Sequence, residues 1–171
     1  PPLNLRRQRQ MCIRDSMKGY WKNPAETHKQ KIDGWLHMGD LASKDENGYV
    51  KIYGRTKDLI NRGGYKIYPY ELECILIEHP NIEQVCITST PNPVLGESIC
   101  ACVIPEPGQK ITLAEIRDLM KDKVAPHKLP DELCIMDDFP RLSGGVKIKK
   151  FGPGGLAEMA EQDRNRERIR K

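Results

Sequence analysis

The sequence predicts an α+β fold in which helices pack on a sheet of a few strands, with a β-hairpin ahead of this small domain. Three observations predict it. Two segments carry apolar residues at helical spacing, other segments are rich in β-branched residues, and proline or glycine separates them. The chain has 171 residues, of which 38% are hydrophobic and 30% charged, and this is enough for one modest core. From residue 57 to residue 150 we expect strand, helix, strand, strand, helix and strand.

The segment ahead of the domain is expected to consist mainly of loops and one hairpin. Residues 17–40 are rich in Gly, Trp and Tyr and predict loop and turn, with one short helix after Pro24. Asn47 and Gly48 form a hairpin turn signal, and an alternating strand follows over residues 49–53.

The first half of the domain begins with a strand that starts in residues 57–61. Residues 62–64 are expected to form a flexible glycine loop. A helix is predicted over residues 69–79, because proline suits its first turn and apolar residues recur at helical spacing. The β-branched residues of the next segment then predict a strand over residues 82–88.

The second half of the domain starts with a turn over residues 91–97 and a strand over residues 98–104. Thr112 and Glu115 then form a capping-box pattern, which predicts the start of a second helix. This helix is expected to end near Val124, before the prolines that follow.

The two ends of the chain differ from its centre. Residues 1–16 show no strand or helix period, and we interpret them as a non-native-looking or disordered leader. Residues 133–136 predict the last strand and residues 141–150 a basic, glycine-rich loop. Residues 151–171 form a charged tail that is expected to be loose or helical.

The overall charge is mild, with 28 basic and 24 acidic residues and a formal net charge of +4. Basic residues cluster near the ends, but aromatic residues are not interleaved with them, so we expect no nucleic-acid partner. The sequence contains no apolar run of the length needed for a membrane span, and the first residues do not form a secretory signal.

The six cysteines contain no CxxC pair, so a zinc or redox motif is not expected. Cys74, Cys86 and Cys134 lie within apolar patterns and are interpreted as core thiols. Cys100 and Cys102 are two residues apart on a predicted strand and are expected to share one face. A reducing, cytoplasmic setting is the simplest interpretation.

Residues 54–73, GRTKDLINRGGYKIYPYELE, form the most specific motif of the sequence. They resemble the hinge-and-loop signature of the adenylate-forming (AMP-binding) superfamily, which includes the acyl-CoA synthetases. Five further segments match that family in its own order: MKGYWKNPAET, GWLHMGD, TPNPVLGE, APHKLPDE and FPRLSGGVKIKK. The resemblance implies that residues 17–56 end the large adenylate-forming domain and that residues 57–150 form its C-terminal lid domain.

The resemblance also implies a two-step ligase reaction. ATP and a carboxylic acid, with a medium-chain fatty or aromatic acid favoured, give an acyl-adenylate and pyrophosphate. The thiol of CoA then gives the thioester and AMP. Mg²⁺ is expected with ATP, but its ligands, the acyl pocket and the phosphate-binding loop would lie in an N-terminal domain that this segment lacks. We therefore expect a C-terminal portion of an enzyme that is inactive alone.

Two residues match the nucleotide-binding positions of the family. Asp40 matches the acid that accepts hydrogen bonds from the ribose hydroxyls, although the family usually has a small hydroxyl residue where Met38 stands. Arg55 matches an arginine that supports ATP or AMP. The alternatives are a turn aspartate for Asp40 and a surface ion pair with Asp58 or Glu71 for Arg55.

Three residues match the hinge and the loop that lines the path of the thiol. Lys57 falls on the hinge position, which needs backbone freedom more than a given side chain. Gly64 would allow close approach of the narrow pantetheine arm of CoA, and Lys66 would meet a CoA phosphate as a point charge. The alternative is a plain turn with a solvated lysine.

Lys147 matches the lysine that assists adenylation. An ammonium between the attacking carboxylate and the α-phosphate would stabilise the transition state. The family has glycine followed directly by lysine, whereas here Gly145 and Val146 precede Lys147. Either the loop carries a one-residue shift, or Lys149 or another lysine serves.

Two other functions remain open at this point. An adenylation domain would load a carrier-protein thiol in place of CoA, and a stand-alone lid or binding module would have no catalytic activity. The match of residues 17–40 to the large domain favours the ligase, because a stand-alone lid domain would not need a segment of the large domain. The histidines and serines form no metal, triad or nucleophile pattern.

Overall fold

The computed structural model describes residues 17–33, 35–37 and 39–169, with side chains as far as Asn165. The chain divides into two compact units, Pro1–Lys57 and Asp58–Lys171, which are called unit 1 and unit 2 below. Both helices and strands are present, and the predicted α+β class is confirmed. Within the described residues, no helix combines the length and the apolar character that crossing a membrane requires. The leader, Cys12, Gly34 and Met38 lie outside the described residues.

The described residues of unit 1 form one short α-helix and two small antiparallel sheets. Helix α1 is Pro24–Gln30, and the Asn23 side chain caps it by accepting a hydrogen bond from the Glu26 amide at 3.1 Å. Strands β1 (Lys31–Ile32) and β2 (Trp35–Leu36) pair with each other.

Strands β3 (Asp40–Lys44) and β4 (Val50–Arg55) form the expected hairpin of unit 1. The Gly48 amide donates to the Asp45 carbonyl at 3.0 Å, and Gly48 has a φ of +90°, a conformation that favours glycine. The hairpin turn signal is therefore confirmed, and the strand after it is slightly longer than predicted. The sequence missed the strands β1 and β2, because each has only two residues.

Unit 2 is built on a five-stranded sheet. The strands are β5 (Ile60–Arg62), β6 (Tyr65–Ile67), β7 (Ile82–Asn92), β8 (Gly96–Pro105) and β9 (Glu132–Ile135). Their order is β6-β5-β8-β7, and β9 pairs in parallel with β8. The long hairpin of β7 and β8 organises the sheet. Its turn is shorter than the predicted one, because both strands extend further.

One face of this sheet is covered by helices α2 (Pro69–Leu76) and α3 (Leu113–Met120). The capping box of α3 is confirmed, with the Thr112 amide 2.7 Å from Glu115 Oε2 and the Glu115 amide 3.3 Å from Thr112 Oγ1. The core on this face includes Leu72, Ile87 and Ile116, each fully buried.

The opposite face carries buried thiols and is covered by helix α4 (Leu156–Ile169). The thiols belong to Cys86, Cys100, Cys102 and Cys134. The prediction that Cys100 and Cys102 share one face is confirmed. Cys86 and Cys134 are core thiols, as expected. The tail is helical over much of its length, which was one of the two predicted possibilities.

Several sequence interpretations of unit 2 are wrong. Strand β6 was not predicted, and both helices end earlier than expected, α2 at Leu76 and α3 at Met120. Cys74 is exposed and is not a core thiol, because Leu72 and Leu76 occupy the buried stripe of α2 and Cys74 falls on its outer side. The flexible loop predicted at residues 62–64 is a tight turn. Gly63 and Gly64 both have positive φ, +57° and +88°, and join β5 directly to β6.

Candidate functional site

Asp40 and Arg55 are brought together across the hairpin of unit 1. They are register partners where β3 begins and β4 ends, and Arg55 Nε lies 3.9 Å from Asp40 Oδ1. Asp40 therefore opens a strand and is not the turn aspartate of the alternative interpretation. Among the described residues, Arg55 makes no ion pair with Asp58 or Glu71, and Glu71 pairs with Lys128 instead.

The Asp40–Arg55 pair is poorly suited to a structural role. The side chain of Asp40 is 31% exposed and that of Arg55 is 51% exposed, and at 3.9 Å the contact is longer than a hydrogen bond. Exposed pairs of this kind add little stability. The arrangement leaves a carboxylate and a guanidinium side by side at the surface of unit 1, where both can hydrogen-bond to a ligand.

Lys57 lies in the 3₁₀ turn Thr56–Asp58, and its side chain is exposed. The boundary between the two compact units falls directly after it. Hinges are usually a few residues in short connections between compact units. This position supports the hinge role, which stays a prediction.

The Gly63–Gly64 turn lies beside the turn that joins β7 to β8. The Gly63 amide donates to the Leu95 carbonyl at 2.8 Å, and Arg62 pairs with Gly96. A Cβ atom added to Gly64 would meet no other atom within 4 Å. Positive φ and local packing against a second turn therefore hold this loop in one shape, with open space at Gly64.

Lys66 follows the turn and is exposed on β6. Within the described part of the chain, no carboxylate pairs with its ammonium. The neighbouring Tyr65 ring stacks on His127, with 4.3 Å between ring centroids and 21° between the planes. Sequence reasoning missed this stack, because the two residues are far apart in the chain.

Asp131 holds this loop region to the rest of the sheet. Its carboxylate accepts hydrogen bonds from Arg62 Nε at 2.8 Å, from Arg62 Nη2 at 2.7 Å and from the Ile99 amide at 3.0 Å. Burial alone would raise the pKa of Asp131, but the hydrogen bonds from Arg62 and Ile99 lower it below its ordinary value. The pair links β5, β8 and the start of β9. No sequence pattern indicates this pair, because its two residues are 69 positions apart in the chain.

Replacing Asp131 with asparagine is expected to lower the free energy of unfolding of unit 2 by about 2 kcal/mol at neutral pH, because a charged bidentate pair is lost. Since the pKa of Asp131 is lower in the folded chain than in the unfolded chain, its stabilisation is complete above the unfolded pKa and is lost as the pH falls through the folded value. The difference between wild type and Asp131→Asn should therefore shrink in acid.

Urea unfolding followed by far-ultraviolet circular dichroism at several pH values measures this effect. Asp118→Asn is the matched control. The ion pair of Asp118 with Lys121 is exposed to solvent, so removing it should leave stability unchanged. Equal stability of the Asp131 and Asp118 variants at neutral pH would contradict the prediction.

Lys147 lies in a loop that is closed at its base by backbone hydrogen bonds. Arg141 and Ile148 form an isolated antiparallel bridge, and the Leu142 amide donates to the Lys147 carbonyl at 2.8 Å. The Gly145 amide turns back to the Leu142 carbonyl at 2.9 Å. The side chain of Lys147 is exposed, and in the described part of the chain its ammonium has no carboxylate partner.

The neighbouring lysines are engaged within unit 2. Lys149 Nζ donates to the Pro153 carbonyl. Lys150 Nζ lies 2.9 Å from Glu73 Oε1 and 3.4 Å from the Ile87 carbonyl. Of the three lysines, Lys147 is therefore the one whose ammonium is available to a ligand, and this supports it over Lys149. Its catalytic role stays a prediction.

The two loops lie at opposite edges of the sheet of unit 2. The glycine turn joins β5 to β6 at one edge, whereas the Lys147 loop adjoins β7 at the other, through Lys150 and through Arg141 Nη2, 3.5 Å from Gln84 Oε1. Three strand spacings separate β6 from β7, which is roughly 14 Å. The bases of the two loops therefore adjoin different edge strands of the sheet.

The buried thiols show no sign of a reactive or metal-binding site. Burial raises the pKa of Cys86 to about 12. Hydrogen bonding with Cys100 and Cys134, together with burial, raises the pKa of Cys102 far above its ordinary value. Among the described residues, no group of three or more His, Cys, Asp or Glu side chains could hold a metal ion.

Comparison with known proteins decides the family. A family profile described as "AMP-binding enzyme C-terminal domain" matches residues 71–145. The medium-chain acyl-CoA ligase ACSF2 of Bos taurus, described as mitochondrial, is 39% identical over 159 residues, which are 91% of this chain and 25% of that protein. This chain belongs to the adenylate-forming superfamily.

Two further similarities agree with this family. The putative acyl-CoA synthetase YngI of Bacillus subtilis is 40% identical over 147 residues, covering 84% of this chain and 27% of that protein. The crystal structure of ATP-bound MatB from Rhodopseudomonas palustris is similar with a TM-score of 0.73 and 32% identity, over 85% of this chain and 28% of that one. The chain thus spans about a quarter of the length of the relatives that it matches, and unit 2 resembles the C-terminal domain of adenylate-forming enzymes.

Proposed function

We propose that the protein containing this chain is an ATP-dependent, AMP-forming acyl-CoA synthetase, an acid–thiol ligase. The observation that carries the proposal is the 39% identity to a medium-chain acyl-CoA ligase over 91% of the chain, which includes both units. That relative also favours a medium-chain fatty acid as the substrate over the aromatic acid that the sequence left open.

The proposed reaction has two steps. A carboxylate oxygen of the acid attacks the α-phosphorus of ATP, the bond to the β-phosphate oxygen breaks, and pyrophosphate leaves. The sulfur of CoA then attacks the acyl carbon of the adenylate, the bond to the AMP oxygen breaks, and AMP leaves with the thiol proton released. Mg²⁺ would accompany ATP through residues outside the described part of this chain.

The residues of unit 1 are proposed to bind the nucleotide. The Asp40 carboxylate can accept hydrogen bonds from two ribose hydroxyls, and the Arg55 guanidinium beside it can donate to oxygens of the same nucleotide. Their exposure and their long mutual contact support this role, because a ligand can replace part of their hydration without breaking a strong ion pair.

The residues of unit 2 are proposed to act one loop at a time. Lys147 serves the adenylate step, and Gly64 and Lys66 serve the CoA step. Their positions at opposite edges of one sheet support a rotation about Lys57 between the steps, since only a change of orientation can bring each edge in turn to one nucleotide.

A carrier-protein thiol remains the alternative acceptor, and a stand-alone lid remains the alternative to catalysis. The match of unit 1 residues to large-domain motifs disfavours the lid. The reducing, cytoplasmic setting that the cysteines favour is kept as part of the proposal.

The chain alone is expected to form no acyl-adenylate and to bind AMP poorly, because it contains only a minor share of the expected nucleotide contacts. The measurement is pyrophosphate release with ATP and a panel of short, medium-chain and aromatic acids. The protein produced from a longer reading frame is the comparison, and it should show turnover that depends on one class of acid and on CoA. Turnover by the isolated chain, or none by the longer protein with any acid, would contradict the proposal.

A further inference from the structure

Lys150 and Glu73 form a half-buried ion pair that the proposed reaction does not use. Their side chains are 20% and 21% exposed, and Lys150 Nζ lies 2.9 Å from Glu73 Oε1. Burial by itself would lower the pKa of Lys150, but the negative charges of Cys86 and Glu73 raise it above its ordinary value. The hydrogen bond to Glu73 and the charge of Asp58 raise the pKa of Lys150 further.

The pair forms hydrogen bonds with both backbone groups of one residue, Ile87, at the outer edge of β7. The Ile87 amide donates to Glu73 Oε1 at 2.9 Å, and the Ile87 carbonyl accepts from Lys150 Nζ at 3.4 Å. Both backbone groups point away from β8, on the side of the strand that lacks a neighbouring strand in the sheet. Glu73 and Lys150 thus complete the hydrogen bonding of an edge position that would otherwise be open.

Lys150 also lies at the base of the loop that carries Lys147. The Lys149 amide donates to the Pro140 carbonyl at 2.7 Å, one step below the bridge of Arg141 and Ile148. The Lys150 carbonyl accepts from the Ala157 amide at 3.0 Å, at the start of α4. The C-terminal side of the loop base is therefore bonded both to β7 and to α4.

We propose that Lys150, clamped by Glu73 and by the backbone of Ile87, is a positioning residue that fixes the loop of Lys147 against the edge of the sheet. The inference rests on the proposed role of Lys147 in adenylate formation. Within the loop, backbone hydrogen bonds hold the turn together but do not attach it to the sheet. The clamp attaches the loop base to β7 through a half-buried ion pair, beside the longer, exposed contact of Arg141 Nη2 with Gln84 Oε1 at 3.5 Å. A loosely attached ammonium would be poorly placed between a carboxylate and a phosphate.

The first experiment uses the chain itself. Lys150→Met keeps the length of the side chain and removes its charge, and amide hydrogen exchange should become about tenfold faster at Leu142 and Lys149 while the centre of β8 is unchanged. Lys123→Met is the matched control. It breaks an ion pair with Glu78 of the same 2.9 Å length that is exposed on the surface, and it should leave exchange at the loop unchanged.

The second experiment uses the longer protein and separates the two half-reactions. Lys150→Met should lower kcat for adenylate formation about tenfold with KM for ATP nearly unchanged, and thioester formation from added adenylate should stay normal. Lys150→Arg should restore most of the rate, because a cation can still reach Glu73. Glu73→Gln keeps an acceptor for the Ile87 amide and should behave like Lys150→Met. If Lys150→Met does not fold, Glu73→Gln tests the inference in its place.

The outcomes separate this inference from the proposed function. If Lys147→Ala slows adenylate formation and Lys150→Met behaves like Lys123→Met in both experiments, the inference is wrong and the proposed function stands. If Lys147→Ala itself leaves adenylate formation at the wild-type rate, the proposed function of the loop is wrong. Equal loss of both half-reactions in Lys150→Met would show a general structural role and would also overturn the inference.

Discussion

Replacing Lys147 with alanine in the longer protein is expected to slow acyl-adenylate formation by about 100- to 1,000-fold, the usual loss when one electrostatic contact to a transition state is removed. Negative charge is shared between the attacking carboxylate and the α-phosphate in that step. The side chain of Lys147 is exposed on a hydrogen-bonded loop, and in the described part of the chain its ammonium has no carboxylate partner.

The measurement is ATP–pyrophosphate exchange, with thioester formation from added acyl-adenylate followed separately. Lys147→Ala should retain most of the second activity, because the glycine loop at the opposite edge of the sheet is unchanged. Lys149→Ala tests the alternative that the sequence left open. Lys149 donates to the Pro153 carbonyl, so its loss should affect exchange far less. The reverse ranking of the two variants would transfer the role to Lys149.

Replacing Gly64 with leucine is expected to have the opposite profile. Thioester formation should fall about 100-fold, while adenylate formation stays nearly unchanged. The space around Gly64 is open, so a leucine side chain would project into the region where we propose that the pantetheine arm passes. The positive φ of +88° adds a strain of about 1–2 kcal/mol, which is a cost in stability and does not by itself favour one step over the other.

Gly108→Leu is the matched control for this strain. Gly108 has a φ of +77° and equally open surroundings, but it follows the other end of β8, away from the glycine turn. Both variants should lose similar stability in urea unfolding, and only Gly64→Leu should lose thioester formation. If both variants slow the second step equally, the effect comes from stability and Gly64 does not line the path of the thiol.

The two predictions together test whether the protein uses different edges of unit 2 in its two steps. Each substitution alone could act through a general disturbance of the fold. A pair of variants with opposite profiles, at loops separated by roughly three strand spacings, cannot be explained in that way. Lys57, which lies at the boundary of the two units, is the position that we propose as the hinge for this rotation.

Much of the fold follows from local sequence patterns. The capping box of α3, the proline at the start of α2 and the turn signal at Asn47–Gly48 each depend on residues within one turn or hairpin. Their effects are local, so they can be predicted without knowing the rest of the chain. Most of the order of strands and helices in unit 2 is of the same kind, because apolar patterns indicate it. The short strand β6 was not predicted.

Other features depend on contacts between distant parts of the chain. A glycine pair is compatible with a flexible loop or a tight turn, and only the pairing of β5 with β6 selects the turn. Cys74 has apolar neighbours in sequence, yet the direction of the buried stripe on α2 leaves it exposed. Such outcomes depend on which face meets the sheet, and this is a property of packing.

The sequence by itself determined the α+β class and most elements of unit 2, because spacing and residue type carry that information locally. The candidate residues Asp40, Arg55, Gly64 and Lys147 follow from the resemblance of their motifs to the family. Only the tertiary structure decided that Asp40 and Arg55 face each other and that the two loops occupy opposite edges of one sheet. It alone showed that Lys150 is held by Glu73 while Lys147 is left exposed. The physical reason is that hydrogen bonds and ion pairs between residues far apart in the chain form only when the sheet and its helices assemble.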